Sequence, residues 1–289
     1  MNDKRIDEIS FPTEKPHVSY SEIRNWKECP WRHKLIYIDK LAVDEPSPYL
    51  SYGTAIHSAI EDFLLTGVMK PEIATEEIKK EWEKHGFDSK EWIEAQAAHR
   101  ASEGWRPKPH DYLQSWLDWA NNCLADLPVF LDSEFDSWEV VSAEEQLYEF
   151  VEDYDIFFKG FIDALLKVQI KGKEYYYVLD WKTAGDKGWF ASKKRDILTW
   201  AQIALYKSFW MRKNSLDTKQ VKCGFVLLKR GAKPKSTCEL VKVSVGPKAE
   251  EKALAILRSM VKSVRRGLYL KNRDACRFCE FKKTPACPG

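Results

Sequence analysis

Three consecutive runs rich in β-branched and aromatic residues constrain the fold of this 289-residue chain more than any other feature. They cover residues 138–151, 155–170 and 174–182. Each run has the composition and length of a β-strand, and the Lys-Gly-Lys sequence at 171–173 is typical of a hairpin connection between the last two. The sequence therefore predicts a mostly antiparallel sheet that contains at least one hairpin.

Helical patterns lie on both sides of these strands. Ser19 and Glu22 have the spacing of a capping box and predict an amphipathic helix, which Pro30 interrupts. A second helical pattern covers residues 53–65 and carries His57 beside its apolar stripe. The remaining predicted elements are two or three tryptophan-rich helices within residues 71–127, helices over 197–213 and 247–266, and strands over 221–229 and 238–245.

The order of these elements predicts a fold class and a domain organisation. Helices followed by a sheet that a helix interrupts indicate an α/β or α+β fold with an N-terminal helical portion. Residues 1–17 are polar and predict a flexible tail, and residues 18–289 are expected to form a single domain. Within that domain we expect a helical insertion at about 68–135 and a cysteine-rich C-terminal segment at 270–289.

The composition excludes several classes of protein. Charged residues make up 31% of the chain, hydrophobic residues 44%, and the mean hydropathy is −0.49, which argues against a disordered, membrane or collagen-like chain. No apolar run approaches the roughly 20 residues of a membrane span, and the N-terminus lacks the apolar stretch of a secretory signal. We therefore expect a cytoplasmic protein.

Charge is distributed unevenly along the chain. Residues 212–289 carry 20 Lys or Arg against six Asp or Glu, whereas residues 1–211 carry 26 against 38. A basic region of this kind indicates a face for a polyanion such as a phosphodiester backbone, with a solvated basic surface as the alternative. The basic residues that could contact such a backbone are Lys193, Lys194, Arg195, Lys229, Arg230, Lys233 and Lys235. Trp181, Trp189 and Trp200 could stack on unpaired bases, although aromatic residues at these spacings are also typical of a core.

Two acids end two adjacent predicted strands. Asp163 closes one apolar stretch and Asp180 closes the next, with Lys182 two residues later. Because side chains alternate along a strand, Asp180 and Lys182 share a face, and Asp163 stands close to both if the strands pair. The sequence thus predicts two carboxylates and an ammonium in one pocket. The alternative for such a spacing is a solvated surface pair.

Crowded carboxylates at the end of an apolar sheet are costly unless a cation neutralises them, and oxygen ligands favour Mg²⁺ or Mn²⁺. A divalent metal polarises a phosphodiester and lowers the pKa of bound water. Lys182 could orient that water and offset the charge of the transition state. The pattern therefore indicates metal-dependent phosphodiester hydrolysis.

Other residues could complete this pocket. A neutral His57 imidazole could join the metal ligands, and the alternative is a histidine satisfied within the core. Gln202 and Tyr206 are four residues apart on a predicted helix and share a face that can reach the pocket. Glu144 or Glu145 on the first strand could supply a further acid.

The cysteines indicate a second cofactor site. The chain has seven cysteines and no export signal, so a disulfide framework is not expected. Cys276, Cys279 and Cys287 lie within twelve residues, and Cys29 could provide a fourth thiolate. Four thiolates suit zinc and an iron-sulfur cluster equally well. The other three, Cys123, Cys223 and Cys238, are expected to pack as small hydrophobic residues.

Taken together, these motifs resemble the RecB-like branch of the PD-(D/E)xK nuclease superfamily. The match follows the chain in order: SYSEIRNWKECP at 19–30, GTAIH at 53–57, GFID at 160–163, DWKT at 180–183, QIALY at 202–206, and the C-terminal cysteines. Ile162 stands where the superfamily name has proline, as is usual in this branch. The resemblance covers residues 68–135 least.

The resemblance implies a restriction-endonuclease-like mixed sheet flanked by helices and assigns roles to the motif residues. His57, Asp163, Asp180 and the main-chain carbonyl of Trp181 correspond to metal ligands, and Lys182 corresponds to the catalytic lysine. Gln202 and Tyr206 correspond to residues that support the site and the DNA.

The resemblance also favours a cluster over zinc. RecB-like nucleases of CRISPR adaptation and of the AddB helicase-nuclease subunit hold a 4Fe-4S cluster with one N-terminal and three C-terminal cysteines, matched here by Cys29, Cys276, Cys279 and Cys287. Its expected role is structural. Zinc remains the alternative.

These observations predict a Mg²⁺- or Mn²⁺-dependent deoxyribonuclease, an exonuclease that acts at DNA ends or on single strands. DNA rather than RNA is implied by the resemblance alone. A structure-specific endonuclease with the same chemistry is one alternative. The other is a non-catalytic DNA-binding or protein-binding module of a recombination or repair complex.

Overall fold

A computed structural model describes residues 9–41, 46–102 and 112–288. Within these ranges six strands form one mixed sheet, in the order β1-β3-β4-β5-β6, with β2 on the other side of β3. The strands are β1 (His17–Ser19), β2 (Ser137–Val151), β3 (Ile156–Ile170), β4 (Lys173–Ala184), β5 (Val221–Lys229) and β6 (Cys238–Val243). The predicted strands therefore form, and the mixed α/β architecture agrees with the expected fold class.

The sheet combines two kinds of pairing. Strands β2, β3 and β4 are antiparallel neighbours, and β5 and β6 form a second antiparallel pair. The β4–β5 pair is parallel because α8 (Ile197–Lys213) lies between the two strands in sequence. The first strand, β1, also pairs in parallel with β3.

The predicted hairpin between β3 and β4 is confirmed. Ile170 pairs with Lys173, which leaves Lys171 and Gly172 as a two-residue loop. Both loop residues have positive φ, 52° and 70°, as a type I′ turn requires. This tight turn fixes the register of the two strands that carry Asp163 and Asp180.

Nine α-helices lie in the described ranges, and the helix predictions hold with small shifts. They are α1 (Tyr20–Glu28), α2 (Pro30–His33), α3 (Pro48–Thr66), α4 (Pro71–His85), α5 (Lys90–Ser102), α6 (Leu113–Glu134), α7 (Ala191–Arg195), α8 and α9 (Pro247–Arg265). Ser19 caps α1 by accepting from the Glu22 N–H, and Gly67 ends α3 in the left-handed conformation. None of the helices in the described part of the chain is apolar over enough of its length to cross a bilayer.

Helices cover both faces of the sheet. Side chains alternate along β4, so Val178 joins a core formed with α8 and α9 while Leu179 joins a core formed with α3, α4 and α6. The described parts of the helical insertion expected at 68–135 therefore belong to a layer under the sheet, with Trp82 and Trp116 in its core, and residues 103–111 of that insertion lie outside the described residues. This layer holds α3, the helix of His57, against the strands.

The predicted N-terminal tail is only partly within the described residues. Residues 1–8 lie outside them. The rest of the predicted tail is packed, because Phe11 is buried and His17 begins a strand that pairs with β3. Packed structure thus begins before the expected boundary at residue 18.

Candidate active site

The hydrogen-bond ladder between β3 and β4 stops beside the two aspartates. Ala164 and Leu179 form the final described pair at this end, and Asp163 and Asp180 occupy the next position. There the Asp163 carboxylate takes the place of a strand partner, since its Oδ2 accepts from the Trp181 N–H at 2.7 Å. The end of the ladder therefore turns both carboxylates into one site.

His57 reaches this site from α3. Its Nδ1 lies 3.6 Å from Asp163 Oδ2, and its Nε2 lies 3.1 Å from the Trp181 carbonyl oxygen. At 3.1 Å the Nε2–H donates a hydrogen bond to the Trp181 carbonyl oxygen, so the Nδ1 that faces Asp163 is the nitrogen left with a lone pair for a metal ion. Burial lowers the pKa of His57, which favours the neutral imidazole that a metal requires.

Glu144 is the acid that β2 contributes. The register places it opposite Asp163, because Ala143 pairs with Ala164 and Glu145 pairs with Ile162. Its backbone has a φ of 49°, unusual for a residue other than glycine, and the ladder shifts register three residues earlier at a bulge. Ligand atoms of Glu144, His57 and Asp163 all lie within 4.8 Å of one another.

Glu145, the other acid expected as a candidate on this strand, is held elsewhere. Its carboxylate pairs with Lys213 at 3.0 Å and accepts from the Ser142 hydroxyl at 2.9 Å. Glu145 therefore has its own partners outside the site.

The site contains more negative than positive charge. Burial and the nearby Asp180 charge raise the pKa of Asp163 well above its usual range, and burial together with Glu61 raises the pKa of Glu144. Asp180 is 1% exposed, and its Oδ2 forms an ion pair with Lys182, whose Nζ lies 2.5 Å away. Within the described part of the chain, no donor has the orientation of a hydrogen bond to this oxygen. A buried carboxylate oxygen of this kind is a ready ligand for a cation, so the donor set fits a divalent metal.

Gln202 and Tyr206 lie beside the carboxylates on α8. The Gln202 amide donates to the Tyr206 hydroxyl at 3.3 Å. Burial, followed by the Asp180 charge, raises the pKa of Tyr206, so the phenol remains protonated. Gly160 on β3 admits the ring, because a Cβ at this position would lie 2.6 Å from Tyr206 Cε1.

A groove of about 380 Å³ leads away from Lys182 between α1 and α8. Tyr20 and Arg24 line one wall, and Lys193 and Trp189 line another. Lys193 Nζ lies 5.3 Å from the centre of the Trp189 ring. Lys193 and Trp189 were predicted from the sequence, whereas Tyr20 and Arg24 were not. The i, i+4 spacing of Tyr20 and Arg24 on a predicted helix is the sequence signal that could have indicated them.

Two of the other residues that were predicted to contact a phosphodiester backbone interact with side chains of the protein instead. The Arg230 guanidinium lies 4.5 to 5.6 Å from the ring centres of Tyr49, Tyr52 and Trp116, so it packs inside the helical layer. Lys229 lies 3.8 Å from Glu239. Neither residue fits the expectation of a free phosphate contact, because Arg230 packs against aromatic rings and Lys229 pairs with a carboxylate.

The four terminal cysteines come together. Cys29, Cys276, Cys279 and Cys287 line one small cavity where the C-terminal segment lies against α1 and α2. The segment is held there by the Asn272 N–H, 3.4 Å from Cys29 Sγ, and by a bond from the Trp31 indole to the Ala286 carbonyl at 3.2 Å.

The arrangement of these sulfurs in the described part of the chain shows neither the geometry of a tetrahedral zinc site nor that of an iron-sulfur cluster. Zinc bonds of about 2.3 Å place thiolates about 3.8 Å apart. Among the described cysteines, no three sulfurs lie within 4.8 Å of one another. Cys123 and Cys223 are buried in the two cores and Cys238 is half-buried, as expected for cysteines that pack as hydrophobic residues.

Comparisons with known proteins give a family and a fold. A family model of the PD-(D/E)XK nuclease superfamily matches residues 17–288. Among solved structures, a candidate exonuclease from Eubacterium rectale is similar, with a TM-score of 0.52 and 11% sequence identity, over 92% of this chain and 86% of that chain. No curated protein sequence matches significantly.

Proposed function

The chain belongs to the PD-(D/E)XK nuclease superfamily and has its restriction-endonuclease-like fold, and from this premise we propose that it is a divalent-metal-dependent DNA exonuclease of the RecB-like branch. The observation that carries the proposal is the convergence of Asp163 and Asp180 at the end of the β3–β4 ladder, with Lys182 2.5 Å from the second carboxylate. The substrate is DNA, through its phosphodiester bonds.

PD-(D/E)XK nucleases use divalent metals, and the donor set here suits Mg²⁺ or Mn²⁺. The residues that would hold the ion are His57, Glu144 and Asp163, whose ligand atoms lie within 4.8 Å of one another, and the family resemblance adds Asp180 and the Trp181 carbonyl. When bound, the ion polarises the scissile phosphate and lowers the pKa of a water. The raised pKa of Asp163 means that a proton competes with the cation for this carboxylate.

Lys182 supplies the positive charge that the protein itself brings to the phosphate. Its side chain is about one-third exposed and it lines the groove, so it can contact a substrate oxygen while Asp180 fixes its position. An ammonium held in place before the reaction stabilises developing negative charge without reorganisation. The Tyr206 ring packs against Gly160 and supports the position of β3, and Gln202 lines the groove by which DNA would enter.

Exonuclease action is supported by the description of the similar structure as a candidate exonuclease. The test is digestion of end-labelled linear, closed circular and single-stranded DNA with Mg²⁺. An exonuclease releases label from linear DNA and leaves closed circles intact. Cleavage of circles at the same rate would replace this proposal with the structure-specific endonuclease. Binding of DNA without any cleavage would indicate the non-catalytic module of a recombination or repair complex.

We further propose that Cys29, Cys276, Cys279 and Cys287 hold a 4Fe-4S cluster with a structural role. The support is that one cavity gathers all four cysteines and that a cluster there would link α1 and α2 to the C-terminal segment. Such a cluster would cross-link segments that are far apart in the sequence.

The test for the cluster is anaerobic purification with iron and zinc analysis. Wild type and Cys238→Ser, which alters a cysteine outside the cavity, should be brown, and Cys276→Ser should lose colour and iron. One equivalent of zinc in a colourless protein would replace the cluster with a zinc site.

A further inference from the structure

A second basic groove lies at the opposite end of the sheet from the carboxylates. It has a volume of about 840 Å³ and is formed where β4 and β5 begin and β6 ends. Tyr175 on its wall is five residues before Asp180 on the same strand, which at about 3.3 Å per residue separates the two by roughly 17 Å. The groove is therefore distinct from the candidate active site.

The lining of this groove is strongly positive. Six lysines line it and, among the residues that the structure describes, no Asp, Glu or Arg does. They are Lys171, Lys173, Lys207, Lys219, Lys222 and Lys242. Only Lys242 has a carboxylate partner in the described part of the chain, Glu134 at 3.3 Å. Six like charges around one cavity repel one another, and a polyanion would relieve that repulsion.

Lys207 makes the groove more than a patch of surface lysines. Its side chain is 4% exposed, and its ammonium donates to the carbonyl oxygens of Thr218 and Val245 at 3.1 and 3.0 Å. No described carboxylate lies within ion-pair distance of this buried cation. Glu250 and Asp217 act on this ammonium only from beyond ion-pair distance, and burial of a charge without a direct ionic partner is costly, so an anion in the groove would supply that partner.

The chemistry of the lining indicates which anion fits. Lysine is a hydrated point charge on a flexible stem, suited to backbone phosphates, whereas a specific nucleotide phosphate is typically gripped by the planar fork of arginine. Lys222 is partly preorganised, since its Nζ lies 4.1 Å from the centre of the Tyr175 ring. The concave shape of the groove also favours a nucleic-acid strand over the flat surface of a lipid bilayer.

We propose that this lysine groove is a second nucleic-acid site, which binds the phosphodiester backbone of DNA away from the end that is cleaved. The choice of DNA as the polyanion rests on the proposed function. The site adds affinity without sequence preference, and it leaves the chemistry of cleavage to the carboxylates.

The test compares two triple variants that remove the same charge. The groove variant is Lys173→Gln, Lys219→Gln and Lys222→Gln, and the matched control is Lys79→Gln, Lys80→Gln and Lys252→Gln, on exposed faces of α4 and α9. Binding to fluorescent single strands of about 30 nucleotides is measured by anisotropy in chelator over a range of salt, because single-strand sites span up to about 16 nucleotides. Thermal unfolding verifies that both variants fold.

The groove variant should bind the long strand about tenfold more weakly than the control, with a salt slope smaller by about 2, because each single-strand phosphate contact contributes about 0.7. Its rate of cleaving a dinucleotide should equal that of the control, since at about 3.4 Å per nucleotide so short a substrate cannot span the roughly 17 Å between the two sites. Equal binding of the long strand by the two variants would overturn the proposal. So would a groove variant that loses binding to phosphatidylserine vesicles but not to DNA.

The outcomes separate this proposal from the proposed nuclease function. A wild-type protein that never cleaves DNA contradicts the nuclease function, yet the comparison in chelator still decides the groove. Normal cleavage with equal binding by both variants contradicts only the groove.

Discussion

Glu144 and Asp163 face each other across β2 and β3, and both point a carboxylate at the imidazole of His57. Two like charges at opposing positions of a sheet are destabilising, and Glu144 also has a left-handed backbone. An arrangement that costs stability in this way at a half-buried site indicates a functional constraint, and a shared cation explains it.

The first prediction concerns Glu144 as a metal ligand. Glu144→Gln removes one carboxylate from the site and should weaken Mn²⁺ binding by about tenfold, since affinity follows the number of charged ligands. Glu145→Gln is the matched control, because Glu145 pairs with Lys213 and should leave the affinity unchanged. Calorimetric titration measures both. Equal affinities in the two variants would remove Glu144 from the site.

The second prediction concerns pH and the stability of the metal-free protein. Asp163 has a raised pKa, so its contribution to folding is fully present below its unfolded pKa of about 3.9 and is lost as pH rises through the folded value. Asp163→Asn keeps an acceptor for the Trp181 N–H and removes the charge. In chelator the variant should therefore melt higher than wild type, by more at pH 8 than at pH 5.

The expected difference in Tm at pH 8 is at least about 2 °C, the effect of roughly 1 kcal/mol in a domain of this size class. Mn²⁺ should raise the Tm of wild type, because only the folded protein binds the ion. It should not raise the Tm of the variant, because the variant lacks the Asp163 carboxylate. Circular dichroism during heating provides the readout. A Tm difference of the opposite sign, or one independent of pH, would count against the electrostatic account.

The third prediction concerns the close approach of Gly160 and Tyr206. Gly160→Ala places a Cβ 2.6 Å from the ring, which must move, at a cost of about 1–3 kcal/mol typical of overpacking. Gly185→Ala is the control, because no heavy atom lies within 4 Å of its added Cβ and its φ is not positive.

A double-mutant cycle in denaturant isolates this contact. In a Tyr206→Ala background, Gly160→Ala should cost little, because the ring that it meets is gone. The same cost in both backgrounds would mean that the glycine serves another purpose.

The fourth prediction concerns Lys182. Lys182→Gln should lower the rate of DNA cleavage by about 10²–10³-fold, the usual effect of removing one preorganised electrostatic partner of the transition state. Mn²⁺ affinity should stay equal or rise, because a competing cation has left the carboxylates. Lys187→Gln, an exposed lysine in the following loop, should behave as wild type. A loss of metal binding together with activity would assign Lys182 a structural role instead.

Local patterns allowed much of the fold to be predicted. The Lys171-Gly172 hairpin and the helix Ile197–Lys213 depend on turn chemistry and on periodicity within a few residues, so the sequence alone reveals them. The sheet order could not be predicted, because the parallel β4–β5 pairing depends on how α8 packs across the sheet.

The site residues that lie at strand ends could be predicted from the sequence. The site residues whose position depends on the register between distant strands could not. Asp163, Asp180 and Lys182 lie at strand ends that the pattern exposes. The choice between Glu144 and Glu145 depends on a bulge several residues earlier, which shifts the whole strand by one position. The lysine groove joins residues from four strands and α8, so no linear motif marks it.

Mg²⁺-dependent release of end label from DNA by wild type and by Asp180→Asn, prepared side by side, tests the central claim most directly. Asp180 is buried, and asparagine retains its shape but not its charge. We predict steady release by wild type that chelator abolishes, and release by the variant that is lower by on the order of 10³-fold or more. Equal release by the two proteins, or release by wild type that persists in chelator, would contradict the account.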